Sequence, residues 1–515
     1  MKKLLLFILV VFAFFDNYAQ NTISYNKVKY YFGDSLNSSG VIKSIEKIDS
    51  NYYLGVDAFS DSLLYTSYVV KTDEYGNKIA QSPRFGSDST AYFIGTGNGM
   101  IVDCDSNIIV AGGFLKTEWG GFVAKLNKEL DTIWTKHYLF PDSLLAYNCD
   151  TPRHRFEALT QTSDGNYIIV GSYFSDSIYS SKHTYLVKLN KNGNLMWRKI
   201  YPNLGPCFDI AVTSDSGFVF TTARIGYWGS FICKTNNLGD IQWFTTQINT
   251  RYLSSYDLTV FGNSVISVVP FEYSGNTDPN LFQFGLNVTK TNSITGQIIW
   301  TKQYIPMITV KCPTLHQHIE VEVEANENII IVATGSAANY DTSAVAYKGF
   351  IMKLNSNGDS LWSHFYDWGD FFQRYAQFND FVLTDDGGIL AGGYWNPPYL
   401  NYKQGAWLVK MDSMGNAPGA YTVGIDENIL VIKNERPFLY PNPASDNFNL
   451  RFDENPNRDI QLSIFSSSGA LVKQQQLAAF GNEYRVDIQD LKAGVYFIKL
   501  ESTEGLVFSS KFVKE

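Results

Sequence analysis

Hydrophobic and polar positions follow one pattern, repeated along most of the chain: an apolar strand, a polar turn, then a tryptophan. It reads FVAKLNKELDTIWTKHY from Phe122, YLVKLNKNGNLMWRKIY from Tyr185 and FICKTNNLGDIQWFTTQ from Phe231. It returns as LNVTKTNSITGQIIWTKQY from Leu286 and FIMKLNSNGDSLWSHFY from Phe350. The tryptophans are Trp134, Trp197, Trp243, Trp300 and Trp362. Degenerate copies at YVVKTDEYGNKIA (from Tyr68) and WLVKMDSMGNAPGAY (from Trp407) bring the total to seven.

Each copy has an earlier half: a strand, a turn such as TSDGN, TSDSG or TDDGG, then a β-branched strand such as YIIVGSY, FVFTTA or ILAGGY. Asp-Gly and Asn-Gly pairs tolerate positive φ and so close tight hairpins between alternating strands. Every unit is therefore four short antiparallel strands, the unit of a propeller blade. The spacing predicts an all-β chain whose residues 21–425 form a seven-bladed β-propeller. The seventh copy lacks its outer strand, while an orphan strand, NKVKYYFG from Asn26, precedes the first copy. The orphan is expected to dock beside the strand carrying Trp407 and close the ring, which removes two exposed sheet edges. The rival reading is an open solenoid or two small sheets.

The first residues, MKKLLLFILVVFAFFDNYAQ, have a positive start, an apolar core and a small residue at Ala19, the parts of a secretory signal over 1–20. The apolar run from Leu4 to Phe15 is too short to span a bilayer as a helix, and no other stretch approaches that length, so no transmembrane segment is expected in the mature chain. Aromatics at 15% and charged residues at only 18% favour extended structure over helix. A net charge of −9 without a basic run argues against nucleic acid. Cys104, Cys149, Cys207, Cys233 and Cys312 show no metal spacing, and an odd count cannot pair completely; buried free thiols are the preferred reading.

After an expected linker over 426–437 comes YPNPASD (Tyr440 to Asp446), then IFSSSGALV, LKAGVYFIKL and a terminal KFVKE. Residues 438–515 resemble the type A C-terminal sorting domain of the type IX secretion system of Bacteroidota, with Tyr440, Pro441, Asn442, Pro443, Gly494 and Tyr496 carrying the motif. The resemblance implies a small, Ig-like β-sandwich recognised by the type IX machinery, export through the periplasm to the outer surface or beyond, and removal of the domain afterwards. Independently, QLSIF, YRVDI and VYFIKL alternate or are apolar between Ser-Gly and Ala-Gly turns, as a sandwich requires.

Candidate chemistry is sparse. The first strands of several copies carry an acid: Asp209, Asp257, Glu320 and Asp380, with Glu157 one place out of register. First strands line a propeller's channel, so these carboxylates can form a ring; an oxygen-rich ring suits Ca²⁺. The competing and preferred reading is that each acid caps backbone N–H groups of the neighbouring blade, since what recurs in every repeat usually serves the repeat. No other cofactor is indicated. His316 and His318 with Glu320 have zinc-compatible atoms but no third histidine nearby, and a surface loop between blades is expected there. The repeated tryptophan is expected to pack between blades. Neither a nucleophile elbow nor a phosphate-binding glycine loop is present.

Aromatic loops remain: Trp119, Tyr227 with Trp228, Trp368, and Trp395 through Tyr399. Sharing one face, they would form a platform for sugar rings; the alternative is packing between blades. These features favour a secreted or surface-displayed binding propeller with a glycan or protein ligand. A polysaccharide-acting hydrolase or lyase using the channel carboxylates is the alternative, and a structural envelope spacer the third reading.

Overall fold

The computed structural model describes residues 23–29, 38–60, 63–85, 90–140, 153–174, 183–202, 204–224, 230–246, 257–273, 283–307, 311–338, 345–366, 375–396, 405–422, 424–429, 438–452, 459–466, 470–478, 483–502 and 505–515. The expected leader over 1–20 lies outside them. The described chain is all-β and divides into two compact units, up to Leu430 and from Val431.

In the first unit the strands of each repeat pair antiparallel as the periodicity predicts, four to a repeat with the first strand of repeat 2 split in two, and single parallel bridges join repeat 5 to 6 and repeat 6 to 7. Repeat 3 is representative: Arg153–Gln161, Tyr167–Phe174, His183–Leu189 and Leu195–Tyr201 in simple succession. Repeat 7 takes its outer strand from the other end of the chain. Tyr25–Lys29 lies antiparallel to Gly405–Met411, with Val28 opposite Trp407, as expected. The first strand of each repeat touches that of the next, and Tyr375–Leu383 of repeat 7 returns to Ser38–Ile48 of repeat 1. One apolar cluster joins those two repeats directly, Ile42, Leu54 and Val70 packing with Val382, Leu390 and Leu408.

The tryptophan explains how neighbouring repeats fit. Its ring lies against the glycine of the turn between the third and outer strands of the following repeat. A Cβ on Gly193 would meet Trp134 at 2.8 Å, on Gly296 Trp243 at 2.7 Å, and on Gly415 Trp362 at 2.7 Å. These glycines have φ between 71° and 78°, so both the turn and the ring above it call for glycine. Four residues on, a tyrosine hydroxyl donates to the same glycine's carbonyl: Tyr138 to Gly193 at 2.7 Å, Tyr201 to Gly239 at 2.6 Å, and Tyr366 to Gly415 at 2.7 Å. Tyr25 stands in the tryptophan's register opposite Lys410, against Gly76 of repeat 1.

One junction reverses the sizes. Ala80 occupies the tryptophan's place in repeat 1, and the following turn has Leu130 (φ 74°) instead of glycine. Leu130 is buried among Tyr53, Val69 and Phe122, and Ala80 packs against the same cluster. A large turn residue here compensates for a small strand residue.

A second recurring contact lies inside each repeat. A lysine of the third strand pairs with an acid in the turn between the first two: Lys125 with Asp103 (2.7 Å), Lys234 with Asp215 (3.0 Å), Lys353 with Glu324 (2.7 Å), Lys410 with Asp386 (2.9 Å). Lys234 and Lys410 are buried, and burial without a partner would be costly.

Three expectations need correction. Asp426 to Ile429 are not linker: Gly424–Ile429 pairs with the outer strand of repeat 5 (Tyr304 opposite Glu427), after Ala420–Thr422 pairs with that of repeat 6. With Tyr25–Lys29 occupying the outer place of repeat 7, the chain covers two neighbouring edges instead. The His316 to Glu320 segment is a strand, Lys311–Val323, not a loop; register slips at His318, whose φ is +43°. Among the cysteines, Cys207 and Cys233 are buried and free, but Cys104 is exposed in a turn. Cys149 lies outside the described residues.

In the second unit a three-stranded sheet (Phe438–Tyr440, Asn447–Arg451, Glu483–Asp487) and a four-stranded sheet share one core. The latter runs in the order Leu471–Leu477, Ile460–Ser466, Gly494–Ser502, Gly505–Lys514. Phe448, Leu450 and Val486 from one sheet meet Ile464, Ile498 and Phe512 from the other.

Candidate functional site

The acids of the first strands are buried, and their oxygens go largely to the neighbouring repeat. Asp380 accepts from Ile45 N (2.5 Å) and Ser44 Oγ (3.0 Å) of repeat 1, and from its own neighbour Phe381 N (2.6 Å). Asp257 accepts from Val321 N at 2.5 Å. Asp209 accepts from Leu258 N at 3.4 Å and Asn98 Nδ2 at 3.0 Å. Glu157 accepts from Arg155 Nε at 2.7 Å and Thr96 Oγ1 at 2.8 Å. Capping of neighbouring backbone is therefore what three of the four first-strand acids do.

Two of those donors come from a segment that sequence reasoning passed over. The first strand of repeat 2 is broken between Ile94 and Met100 by Gly-Thr-Gly-Asn-Gly, which leaves its own sheet to lie on repeats 3 and 4. Gly97 N donates to Glu157 O (3.2 Å), and Leu159 N donates to Asn98 O (2.9 Å). A Cβ on Gly95 would fall 2.2 Å from Glu157 O, and one on Gly97 2.1 Å from Phe208 O. Three glycines alternating within five residues were the available signal, since a strand interior does not favour them.

Burial dominates the electrostatics. Enclosure, then the charges of Glu320 and Asp209, holds Asp257 well above the usual carboxylate range. Glu320 is raised likewise by burial and then by Asp380 and Asp209. Asp209, Asp257 and Glu320 influence one another within one enclosure, and like charges so placed favour holding protons in common. Glu46 and Glu322, on the first strands of repeats 1 and 6, are also raised by enclosure, Glu322 to about 7. Glu322 is nevertheless exposed to water. Lys43 faces the same region; burial lowers it, opposed first by Asp57. His318 is depressed to about 3 by burial and then by Lys43, so it is neutral. Among the described residues, no group of three or more His, Cys, Asp or Glu is disposed to hold a metal ion.

Of the aromatic candidates, Tyr227, Trp228, Trp368 and Tyr399 lie outside the described residues. Trp119 begins the third strand of repeat 2 and stacks on Phe93 (5.8 Å between centroids, 17° between planes). Phe93 in turn meets Tyr65 of repeat 1 at 5.1 Å, and Tyr65 is exposed. In sequence, Phe93 and Tyr65 look like ordinary strand residues. Trp395, near the end of the second strand of repeat 7, packs against the cluster containing Phe378 and Trp407. Both Trp119 and Trp395 lie at the end of the strands opposite the Gly/Trp turns.

In the second unit the sorting motif fastens the last strand. Asn442 Nδ2 donates to Lys511 O (3.2 Å), and its Oδ1 accepts from Val513 N (2.9 Å). Ala444 N donates to Val513 O and Glu515 N to Ala444 O. Tyr496 stacks on Phe512 (5.5 Å, 20°) and donates to Lys492 O, while Gly494 pairs with Lys514. Tyr440 donates to Glu483. Pro441 and Pro443 flank the asparagine that makes these bonds.

This is the region a known family shares. Residues 438–515 match the family described as "Secretion system C-terminal sorting domain". They are a type IX sorting domain. Such a domain implies interaction with the secretion system and export through the periplasm to the cell surface or the extracellular space. No helix among the described residues is long and apolar enough to cross a membrane. No curated protein matches the chain.

Several solved structures resemble the chain only loosely. The Dos1 propeller is 10% identical with a TM-score of 0.39, covering 75% of this chain and 95% of its own. The β-propeller domain of the Trilobed protease from Pyrococcus furiosus is 8% identical with a TM-score of 0.35, over 73% and 99%. Polysaccharide lyase Uly1 is 9% identical with a TM-score of 0.41, over 77% and 94%. Likeness at this level leaves architecture and activity to be argued from the strand pairing and side chains themselves.

Proposed function

We propose that the chain is an exported binding protein: a seven-bladed propeller closed by Tyr25–Lys29, delivered outward by a sorting domain with a sandwich fold. Support for the ring is the contact of each repeat's first strand with the next and of the last with the first. The observation that carries the binding reading is the occupation of the first-strand acids. Asp380 and Asp209 each accept several protein donors and are buried, whereas glycoside hydrolysis needs two carboxyls about 5–10 Å apart across an open cleft.

The ligand would sit at the end of the ring opposite the Gly/Trp turns. Trp119 with Phe93 and the exposed Tyr65 lies there. Aromatic rings with polar edges suit a glycan or a protein surface. The mature full-length chain on a glycan array, and in pull-downs with surface polysaccharide, tests this. Retention should weaken with Tyr65→Ala and Trp119→Ala; no retention on any glycan or surface protein would remove the proposal's support.

The shared protons among Asp209, Asp257 and Glu320 keep the hydrolase or lyase reading in view, since an acid catalyst also needs a raised carboxyl. Reducing-end or unsaturated-product release from polysaccharide, lost in Asp257→Asn, would favour it over binding.

A further inference from the structure

The sorting domain has two solvent-facing sheet surfaces, and they differ in kind. On the three-stranded sheet the outward residues of the two longer strands are polar, Asn447 opposite Asp487, Asn449 opposite Arg485 and Arg451 opposite Glu483, and the exposed Tyr440 beside Asn449 is tied by its hydroxyl to Glu483. That is the expected alternation when one face packs on a core and the other meets water. On the four-stranded sheet the outward residues break it. Phe465 pairs with Leu471 on one side and Phe497 on the other, and Val495 pairs with Val513 in the next row. Leu471 is 52% exposed, Phe497 47%, Val495 43% and Val513 38%. The rest of this face is polar, with Ser463, Gln474 and Gln476. The apolar side chains are thus gathered at one end, next to the last residues of the chain.

Lys511 lies inside this patch, opposite Phe497, and forms no ion pair among the described residues. Lys473 and Lys499 at its border already pair with Asp490 and Glu501. A contiguous exposed apolar patch containing one uncompensated cation is the signature of a protein-binding surface. The core does not explain it, because Tyr496, Ile498 and Phe512, one residue away on the same strands, already fill the inner face.

We propose that this apolar end of the four-stranded sheet is the surface by which the secretion machinery grips the sorting domain, its partner being a protein that offers an apolar depression and a carboxylate facing Lys511. The family to which residues 438–515 belong is defined by being sorted, so a secretion-system protein is the occupant the observations favour. The proposal is independent of what the propeller binds.

The test uses the full chain expressed in a host with a working type IX system. Phe497→Lys and Lys511→Glu change exposed positions, and a polar-face control, Arg485→Glu, changes the other sheet. The fraction of chain outside the cell relative to the periplasm should fall about tenfold for either patch variant, a loss of about 1.4 kcal/mol in docking, and stay unchanged for the control. Thermal unfolding of each purified chain shows whether retention follows misfolding; Lys511→Glu touches no packed atom and carries the test if Phe497→Lys melts early. Normal export of both patch variants overturns the proposal, and so does equal retention of the control. A dimer of the purified chain that Phe497→Lys dissociates while export continues would assign the patch to a second copy and overturn it as well.

Discussion

Exchanging the small and large partners at one inter-repeat junction gives a sharp test of how the ring is held. At the junction of repeats 1 and 2, Ala80 faces Leu130; at five others a tryptophan faces glycine. Leu130 is 2% exposed, so Leu130→Gly removes a buried side chain at a cost of about 2–5 kcal/mol, less roughly 1 kcal/mol for relieving its left-handed backbone. Ala80→Trp alone drives an indole into Leu130 and should cost about 1–3 kcal/mol by overpacking. Together the two changes recreate the arrangement of Trp134 over Gly193. The double variant should therefore lie within about 1 kcal/mol of the natural chain, with a coupling energy of at least about 1 kcal/mol. Guanidinium unfolding of the four proteins, followed by tryptophan fluorescence and far-ultraviolet dichroism, measures the cycle. Additive losses would show that the indole and glycine do not recognise each other, and the rule drawn for all junctions would fall.

Gly97→Val should be among the most damaging single changes: its Cβ would stand 2.1 Å from the Phe208 carbonyl, forcing Asn98 off Asp209, and soluble yield and melting temperature should both drop. Asp380→Ala strands the Ile45 N–H and Ser44 hydroxyl, with an expected loss of about 2–4 kcal/mol by denaturant titration and less for Asp380→Asn, which keeps one acceptor. Asp257, Glu320 and Glu322 have carboxyls raised in the fold, so the folded chain holds protons the unfolded chain releases; their stabilisation is complete below the usual carboxylate range and fades as pH rises towards their raised folded values, for Glu322 through about 7. A melting temperature that climbs between pH 5 and 8, or one whose slope is unaltered by Asp257→Asn, contradicts that assignment. Val28→Pro removes a ladder donor from the closing strand and should lower stability by about 2–3 kcal/mol, and proteolysis should then begin at repeats 1 and 7.

The repeats were legible because their signals are local: an Asn-Gly turn, a tryptophan two strands out, and an outer strand missing at one end and supplied at the other. Even the docking of Val28 beside Trp407 follows from that count. What the sequence concealed depends on contacts between distant residues. Leu130 reads as a degenerate turn until Ala80 is placed beneath it. The Gly95 to Gly99 segment reads as a poor strand until Glu157 and Asp209 need its donors. Gly424–Ile429 reads as linker because pairing with an outer strand demands no particular side chains. The five apolar residues on the outer face of the sorting domain were hidden for a related reason: VYFIKL is apolar on both faces, and periodicity alone cannot say that one face stays in water.

The two ends of the repeats are under different constraints, and that bears on where function lies. At one end repeated contacts tie neighbours together: tyrosine hydroxyls to glycine carbonyls at four junctions, Lys136 to Asn194 at 2.6 Å, Lys302 to Asp359 at 2.6 Å, with turn acids paired to third-strand lysines. Turns between third and outer strands stay short and similar, as in 190–194, 236–240 and 355–359, because a longer one would displace the preceding repeat's tryptophan. At the other end, among the described residues, the tyrosine–glycine and Gly/Trp contacts do not recur. The connections between second and third strands run from residues 61–62 in repeat 1 to 274–282 in repeat 5. Loops held by a rigid scaffold yet free in length are where binding sites are built. A substitution in the connections of this end should change retention on a ligand without moving the denaturation midpoint, whereas one in a Gly/Trp turn should do the reverse; midpoints and retention that always shift together would deny the ring a separate working face.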